Sequence, residues 1–425
     1  MALPWAVTWP ILILAFANIC SFADRQLTSI LAKPISASLH LDHAHMALLG
    51  GTAFAVLYGF AGLPAGLLAD RVKRRWLIFG AITFWSICTG LCGVVTNFQT
   101  LFMARLGVGL GEAVLLPCAF SLIRDLVPPE RRGYAFFLFG LGIPIGTALG
   151  LIVGGVLNTA LSAHPEALSI LGDGQGWQKT FLILALLGAP AALLTLRLPE
   201  PPRRLEVAKT AAASSADRAM SPALAAVSFF LAVAGAGIMI QGIGFWTPTM
   251  LIERFHMTTG AVGLRMGLIN IVAATAGMFL AGWASDRLTA RWGARGGAYT
   301  LAAALAALAP AALLLSLGSS ASWLGVALFY FAAIGFTAVA SALALQVGPA
   351  RRAGLMGAVY GLVVNVAGHG LGPLLYGSLK DHFTLSLSQV VAFTTAPLAL
   401  ISALAALGVG VALSRRRPPA TAPAS

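Results

Sequence analysis

The sequence predicts an all-helical membrane protein: twelve transmembrane helices arranged as two pseudo-symmetric six-helix bundles. Three observations carry that prediction. The 425-residue chain is 58% hydrophobic and 10% charged, with a mean hydropathy of +0.87, outside the range of soluble globular domains. Twelve apolar runs each approach the roughly 20 residues that cross a ~30 Å hydrocarbon core as a helix. Short stretches of the first half also echo in the second at nearly one offset.

The runs are 10–31, 46–69, 76–95, 101–123, 134–157, 179–197, 223–251, 261–285, 297–316, 322–347, 353–378 and 388–413. Helix is the expected form for each, because lipid cannot satisfy open backbone groups. The first run does not read as a signal peptide: no Lys or Arg precedes it, and Asp24 and Arg25 interrupt it. Cys20, Cys88, Cys92 and Cys118 all fall inside predicted helices and read as packing residues, not as a disulfide framework or a metal site.

The net charge of +13 is unevenly placed. Twenty of the 27 basic residues lie after runs 2, 4, 6, 8, 10 and 12, while the opposite side holds only Lys33, Lys179, Arg254, Arg265 and Lys380. This is the positive-inside bias. It predicts a multi-pass protein of the cell membrane (the inner or plasma membrane) with both termini cytoplasmic. The basic charge is thereby accounted for by the lipid bilayer, and no nucleic-acid partner is implied.

A polar stretch at 198–222 falls near the middle of the chain and reads as a cytoplasmic linker. The expected organisation is a bundle at 1–197, the linker, a bundle at 223–414 and a cytoplasmic tail at 415–425. "GLLADR" (66–71) recurs as "GWASDR" (282–287), and "RRGYA" before run 5 is matched by "RRAGLM" before run 11. Such a half-chain repeat points to transporters with a path between two related bundles. "GLLADRVKRR" and its degenerate partner "GWASDRLTAR" resemble the loop motif of the major facilitator superfamily, and together with the twelve runs the resemblance covers essentially the whole chain. It implies that family's fold and a gating role for Gly66, Asp70, Arg71, Arg74 and Arg75 and for Gly282, Asp286 and Arg287. The glycines would let helix ends approach closely. Asp70, beside Arg131 or Arg132 of the next loop, would form a breakable charge latch.

Asp24 and Glu112 are the two acidic residues set well inside predicted helices, and Arg25 and Arg105 accompany them, so the formal charges cancel. At ~1.5 Å per residue, Asp24 and Arg25 lie about 21 and 22 Å from the cytoplasmic edge, Glu112 about 16 Å and Arg105 about 27 Å. Arg105 and Glu112 are two turns apart on one helix face, so they bracket the helix 1 pair in depth. Each such charge costs roughly 2.5–3.5 kcal/mol at the bilayer centre, which marks them as functional. A carboxylate beside an arginine stays ionised, whereas the same group desolvated and unpaired takes up a proton. Asp24 and Glu112 are therefore the expected proton-carrying groups. Arg105 and Arg25 would pair with the ionised carboxylate or with an anionic substrate.

"NICSFADRQLTSIL", "ARLGVGLGEA" and "SLIRDLVPPERRGYAFFLFGLGIPIGTALG" are similar to the spinster branch of the superfamily, whose members are associated with proton-linked sphingolipid and lysophospholipid export. In that branch the helix 1 Asp and the helix 4 Arg and Glu serve coupling and binding, roles that map onto Asp24, Arg105 and Glu112. Anion:cation symporters, which move sugar acids and other carboxylates, share the helix 1 Asp-Arg pair and an Arg followed by Gly-x-Gly-Glu.

Gly142, Gly146, Gly150 and Gly154 make a smooth groove on run 5, explained by packing and resembling a family antiporter motif from which Pro144 departs. Asn365 and His369 stand one turn apart on run 11 as candidate substrate-binding or charge-pairing residues, with His369 able to titrate near neutral pH. Asn270, Gln241 and Gln346 add polar groups, and Phe245, Trp246 and Tyr360 add rings that line a pocket or pack. "HLDHAH" (40–45) reads as a solvated loop with no completed zinc site. No phosphate-binding loop or hydrolase constellation is present, which disfavours ATP-driven pumping and enzyme activity. The expected protein is therefore a proton-coupled secondary transporter of an amphipathic or lipid-like organic anion, such as a lysolipid. It would be a monomer, with no metal and no cofactor beyond the proton gradient. The alternatives are a proton symporter for sugar acids or other small carboxylates and, remotely, a channel or lipid scramblase.

Overall fold

The computed structural model describes residues 4–168, 170, 173–202, 222–293, 295–347 and 353–414. The linker expected at 198–222 falls mostly outside the described residues, as do Arg351, Arg352 and the tail at 415–425.

Every described element is helical. In the first half the chain forms α1 (Trp5–Ile30), α2 (Ala32–Leu39), α3 (His43–Ala47), α4 (Ala53–Ala69), α5 (Arg74–Cys92), α6 (Phe98–Glu112), α7 (Leu115–Leu126), α8 (Arg132–Gly140), α9 (Gly142–Ala163) and α10 (Gly176–Thr195). The second half forms α11 (Pro222–Phe255), α12 (Thr259–Trp292), α13 (Arg295–Ala306), α14 (Leu308–Ser316), α15 (Ala321–Val347), α16 (Ala353–Val363), α17 (Gly372–His382) and α18 (Leu387–Ser414). All twelve apolar runs are helical, and among the described residues eleven helical stretches are long and apolar enough to cross a membrane.

Several runs are broken where the sequence suggested one rod, and three breaks have the same cause. Proline has no N–H to offer the carbonyl four residues back. Pro117, Pro144 and Pro310 stand four residues after Ala113, Gly140 and Ala306, where α6 gives way to α7, α8 to α9 and α13 to α14. Two further interruptions are π-helical, at Leu48–Thr52 between α3 and α4 and at Val364–Leu371 between α16 and α17.

The chain divides into two compact units. One comprises Met1–Leu205, Gly242–Ile271 and His369–Leu387; the other comprises Glu206–Gln241, Val272–Gly368 and Ser388–Ser425. In the second unit close helix seams rest on small residues: a Cβ at Gly277 would stand 2.2 Å from Phe331 O, and one at Gly235 would stand 2.1 Å from Ser402 Oγ.

In the first unit the glycine ladder of α9 lies against α1. A Cβ at Gly146 or Gly150 would stand 2.5 Å from Ile19 O or 2.4 Å from Ala23 O, so only glycine lets the two backbones meet. That seam fixes the rotation of α1 next to Asp24. Beside it a core of Ile11, Leu14, Trp85, Cys88, Val108, Cys118 and Leu122 fills the space between α1, α5, α6 and α7. Cys20, Cys88, Cys92 and Cys118 are free thiols.

At the end of this unit carrying residues 40–45, the backbones are in tight contact. A Cβ at Gly51 would stand 2.2 Å from His369 O, and Thr52 Oγ1 donates to Gly370 O at 2.8 Å, so the two π-helical segments touch. Ser29 Oγ donates to Phe245 O at 2.8 Å, and a Cβ at Gly263 would stand 2.1 Å from Leu151 O. Gly51→Ala should therefore prise this end apart. In a background with the four native cysteines replaced by alanine, Ser29→Cys should react slowly with a membrane-impermeant maleimide, and adding Gly51→Ala should speed that reaction several-fold. Equal rates would show that this contact does not seal the end.

Candidate functional site

α1 carries its charges on successive residues, and successive helical residues point about 100° apart. Asp24 and Arg25 therefore cannot share a partner, and each meets the opposite charge on α6. Arg105 Nη1 donates to Asp24 Oδ1 at 2.9 Å, and Arg25 Nε donates to Glu112 Oε2 at 2.7 Å. The two-turn spacing of Arg105 and Glu112 supplies the two heights. The sequence-derived neutral cluster is thus two crossed ion pairs, with Arg105 and Glu112 each 1% exposed and Asp24 7%.

The surroundings of the two pairs differ. Thr89 Oγ1 donates to Asp24 Oδ2. Asp24 also borders a cavity of about 190 Å³ whose other walls include Phe16, Trp85, Leu149 and Leu184, an apolar space with one carboxylate at its edge. Arg25 instead sits among rings, its Cζ lying 4.6, 4.4 and 4.9 Å from the centroids of Phe22, Phe54 and Tyr58. Ser21 Oγ donates to Glu112 Oε2 at 2.6 Å, and Arg25 Nη2 donates to Ser21 Oγ at 3.3 Å. Glu112 Oε1 and Arg105 Nε are buried without a hydrogen-bond partner. A buried carboxylate oxygen left open beside a cation is where a proton or a ligand donor fits.

His369 belongs to the same unit, and its ring lies 5.7 Å from that of Phe54, the ring that also covers Arg25. Asn365 belongs to the other unit and donates to Gly361 O at 2.8 Å, back onto its own helix. Gln241 and Gln346 also belong to the other unit, whereas Asn270 is buried in the first with its Oδ1 unpartnered. Phe245 packs on Gly50, Trp246 Nε1 donates to Pro373 O at 2.9 Å, and Tyr360 lies beside Phe229. Near residues 40–45, Asp42 accepts from His45 and Asp381 from His43, and among the described residues no group of three potential metal ligands forms.

The charged residues of the loop motif differ in burial. Asp70 is exposed at the C-terminus of α4, while Arg132 donates to the carbonyls of Val127 and Arg124. The buried member is Arg74, with no exposed side-chain surface. Arg74 Nη1 donates to Asp125 Oδ2 at 2.5 Å and to Ser121 Oγ at 2.8 Å, and its Nε donates to Glu200 Oε1 at 2.8 Å. Arg75 N adds a 3.3 Å bond to Glu200 Oε2, whereas Arg71 is exposed. A Cβ at Gly66 or Gly282 would meet nothing within 4 Å, so the close approach expected of these glycines is not made here. Asp286 and Arg287 are exposed, and Arg287 lies 4.8 Å over the Trp283 ring.

Sequence reasoning singled out the four charges and missed their supports. Ser21 stands one helical turn before Arg25, a spacing that could have flagged it. Thr89, Phe54 and Tyr58 come from other helices and carry no local signal. Asp125 and Glu200, which Arg74 joins, were likewise not singled out, since nothing local in the sequence ties them to Arg74.

A family model described as "Major Facilitator Superfamily" matches residues 14–373. Among curated relatives, the chain is 27% identical over 283 residues to an MFS-type efflux pump of Mycolicibacterium smegmatis, covering 66% of this chain and 62% of that one. It is 27% identical over 296 residues to a probable L-galactonate transporter of Escherichia coli (66% and 62%) and 25% identical over 291 residues to protein spinster of Drosophila melanogaster (66% and 46%). The matches thus span less than two thirds of these relatives' lengths. Among solved structures, a bacterial homologue of the human lysosomal transporter spinster, inward-facing and unoccupied, superposes with a TM-score of 0.78 at 22% identity, over 99% of this chain and 100% of that one.

Proposed function

The chain belongs to the major facilitator superfamily, and from that membership we propose that it is a proton-coupled secondary transporter of an amphipathic, lipid-like organic anion. The observation that carries this reading is the Arg25–Glu112 pair inside its ring of Phe22, Phe54 and Tyr58. An arginine cannot give up its charge, but a glutamate can. When an anionic headgroup takes Arg25, Glu112 loses its counter-charge in an apolar setting and binds a proton. Anion and proton then occupy the site together without adding net charge. The rings suit the apolar part of the cargo, as does the cavity beside Asp24.

Asp24 is the second proton-carrying group in this reading, held by Arg105 and Thr89. His369, behind Phe54, is a further charge-pairing group, and Asn365 a substrate-contacting one. Arg74, with Asp125 and Glu200, is the latch broken and remade as access alternates. The setting is the cell membrane, with both termini cytoplasmic. The second reading, symport of small sugar acids, draws on the similarity to the L-galactonate transporter and to a hexuronate transporter of Bacillus subtilis.

A thermal-unfolding screen of the purified protein separates the two, because a ligand of the folded state raises its apparent stability. Lysophosphatidylglycerol should raise the unfolding temperature saturably, and D-galactonate should not. The converse result would replace the first reading with the second. Arg25→Ala should weaken binding of the stabilising anion by about tenfold or more, since a hydrogen bond to a charged group is worth roughly 1.5–3 kcal/mol.

A further inference from the structure

A second cavity, of about 290 Å³, lies in the first unit at the end carrying residues 40–45. One wall is a face of α2, where Lys33, Ser36 and Ala37 are spaced i, i+3 and i+4. The other is a face of α11, where Trp246, Thr249 and Glu253 recur at i, i+3 and i+7. His43 closes one side. Its Nδ1 is held by Asp381 Oδ1 at 2.6 Å, and its ring lies 5.4 Å from that of Trp246.

Three observations mark this as a built site. Lys33 and Glu253 border the same space, yet neither forms an ion pair with the other or with any described residue. Thr249 is 4% exposed, and its Oγ1 is buried with no hydrogen-bond partner. Two other helical threonines bond back to the preceding turn, Thr247 donating to Ile243 O at 2.6 Å and Thr337 to Ala333 O at 3.0 Å, whereas Thr28 Oγ1 on α1 is unpartnered like that of Thr249. A buried hydroxyl that forgoes that bond costs stability unless something else satisfies it.

We propose that the cavity between α2 and α11 binds a small zwitterion, its acid group taken by Lys33 and Thr249 and its ammonium group by Glu253. A ligand of one sign would answer one wall and leave the opposite charge unmatched, whereas a molecule carrying both charges answers both. The volume suits a compact ligand at the lower edge of small-molecule pockets, which start near ~300 Å³. Because the two walls come from distant parts of the chain, such a ligand ties α2 to α11 and holds this end closed. The site is separate from Arg25 and Glu112, and the inference stands or falls independently of the transported substrate.

The test uses the purified full-length protein and a series of ω-amino acids: glycine, 4-aminobutyrate and 6-aminohexanoate, with butyrate and butylamine as single-charge controls. At least one zwitterion should raise the unfolding temperature saturably, by about 2 °C at ten times its Kd. Neither control should do so at equal concentration. Lys33 and Glu253 are exposed at the rim, so Lys33→Ala and Glu253→Ala should fold normally and each weaken binding by about tenfold or more. Thr249→Val should weaken it a few-fold. The proposal is overturned if no member of the series stabilises the protein, if butyrate or butylamine does so equally well, or if Lys33→Ala and Glu253→Ala leave the affinity unchanged.

Discussion

Glu112→Gln should abolish accumulation of the transported anion driven by an imposed pH gradient in proteoliposomes, while exchange of that anion across the membrane continues. Glutamine keeps the shape of glutamate and accepts a hydrogen bond from Arg25, but it cannot trade a proton for the cargo. Gradient-driven uptake should fall to the level measured without a pH gradient, because the group that couples the proton is gone. Counterflow provides the internal control, because it requires a folded carrier and no proton movement. Asp24→Asn should share the phenotype more mildly, since Arg105 and Thr89 still hold the side chain in place. Full gradient-driven uptake in both variants and in the double variant would refute proton coupling through these carboxylates.

The second large effect is structural. Arg74 and Asp125 have no exposed side-chain surface, and removing one partner leaves the other's charge buried and uncompensated. Such a change typically costs about 3–5 kcal/mol. Arg74→Ala should therefore lower the unfolding temperature by several degrees. Arg74→Met combined with Asp125→Asn should recover most of that loss, because the strain lies in the unpaired charge and not in the missing contact. An additive double variant would show that Arg74 and Asp125 do not act as a pair. Asp70→Asn, at an exposed position, should leave stability nearly unchanged.

Much of this was legible in the sequence because membrane insertion is unforgiving. Twelve apolar runs declare themselves by length alone, and a charge inside one of them is costly enough to be conspicuous. The seven-residue step from Arg105 to Glu112 likewise fixed two heights on one face, and the crossed pairs follow that geometry. What the sequence did not show depends on neighbours that come from far along the chain. Thr89 reaches Asp24 only once α5 is packed on α10, with the Ser86 side chain against Gly188. In the loop motif, which includes both Asp70 and Arg74, the sequence does not show that Arg74 is the one buried among Asp125, Ser121 and Glu200 while Asp70 stays exposed. The π-helical segments at Leu48–Thr52 and Val364–Leu371 were equally invisible, and they meet where Gly51 packs against His369 O, a contact between residues far apart in the sequence.

The central claim is that cargo and proton are exchanged at Arg25 and Glu112. Its most direct test is the proton balance of binding itself. Purified protein in weakly buffered detergent solution is mixed with the anion that stabilises it, and the pH change is followed with an indicator dye. The wild type should take up protons as the anion binds, and Glu112→Gln should bind the anion with that uptake lost. Proton release, or an uptake undiminished in Glu112→Gln, would contradict the account.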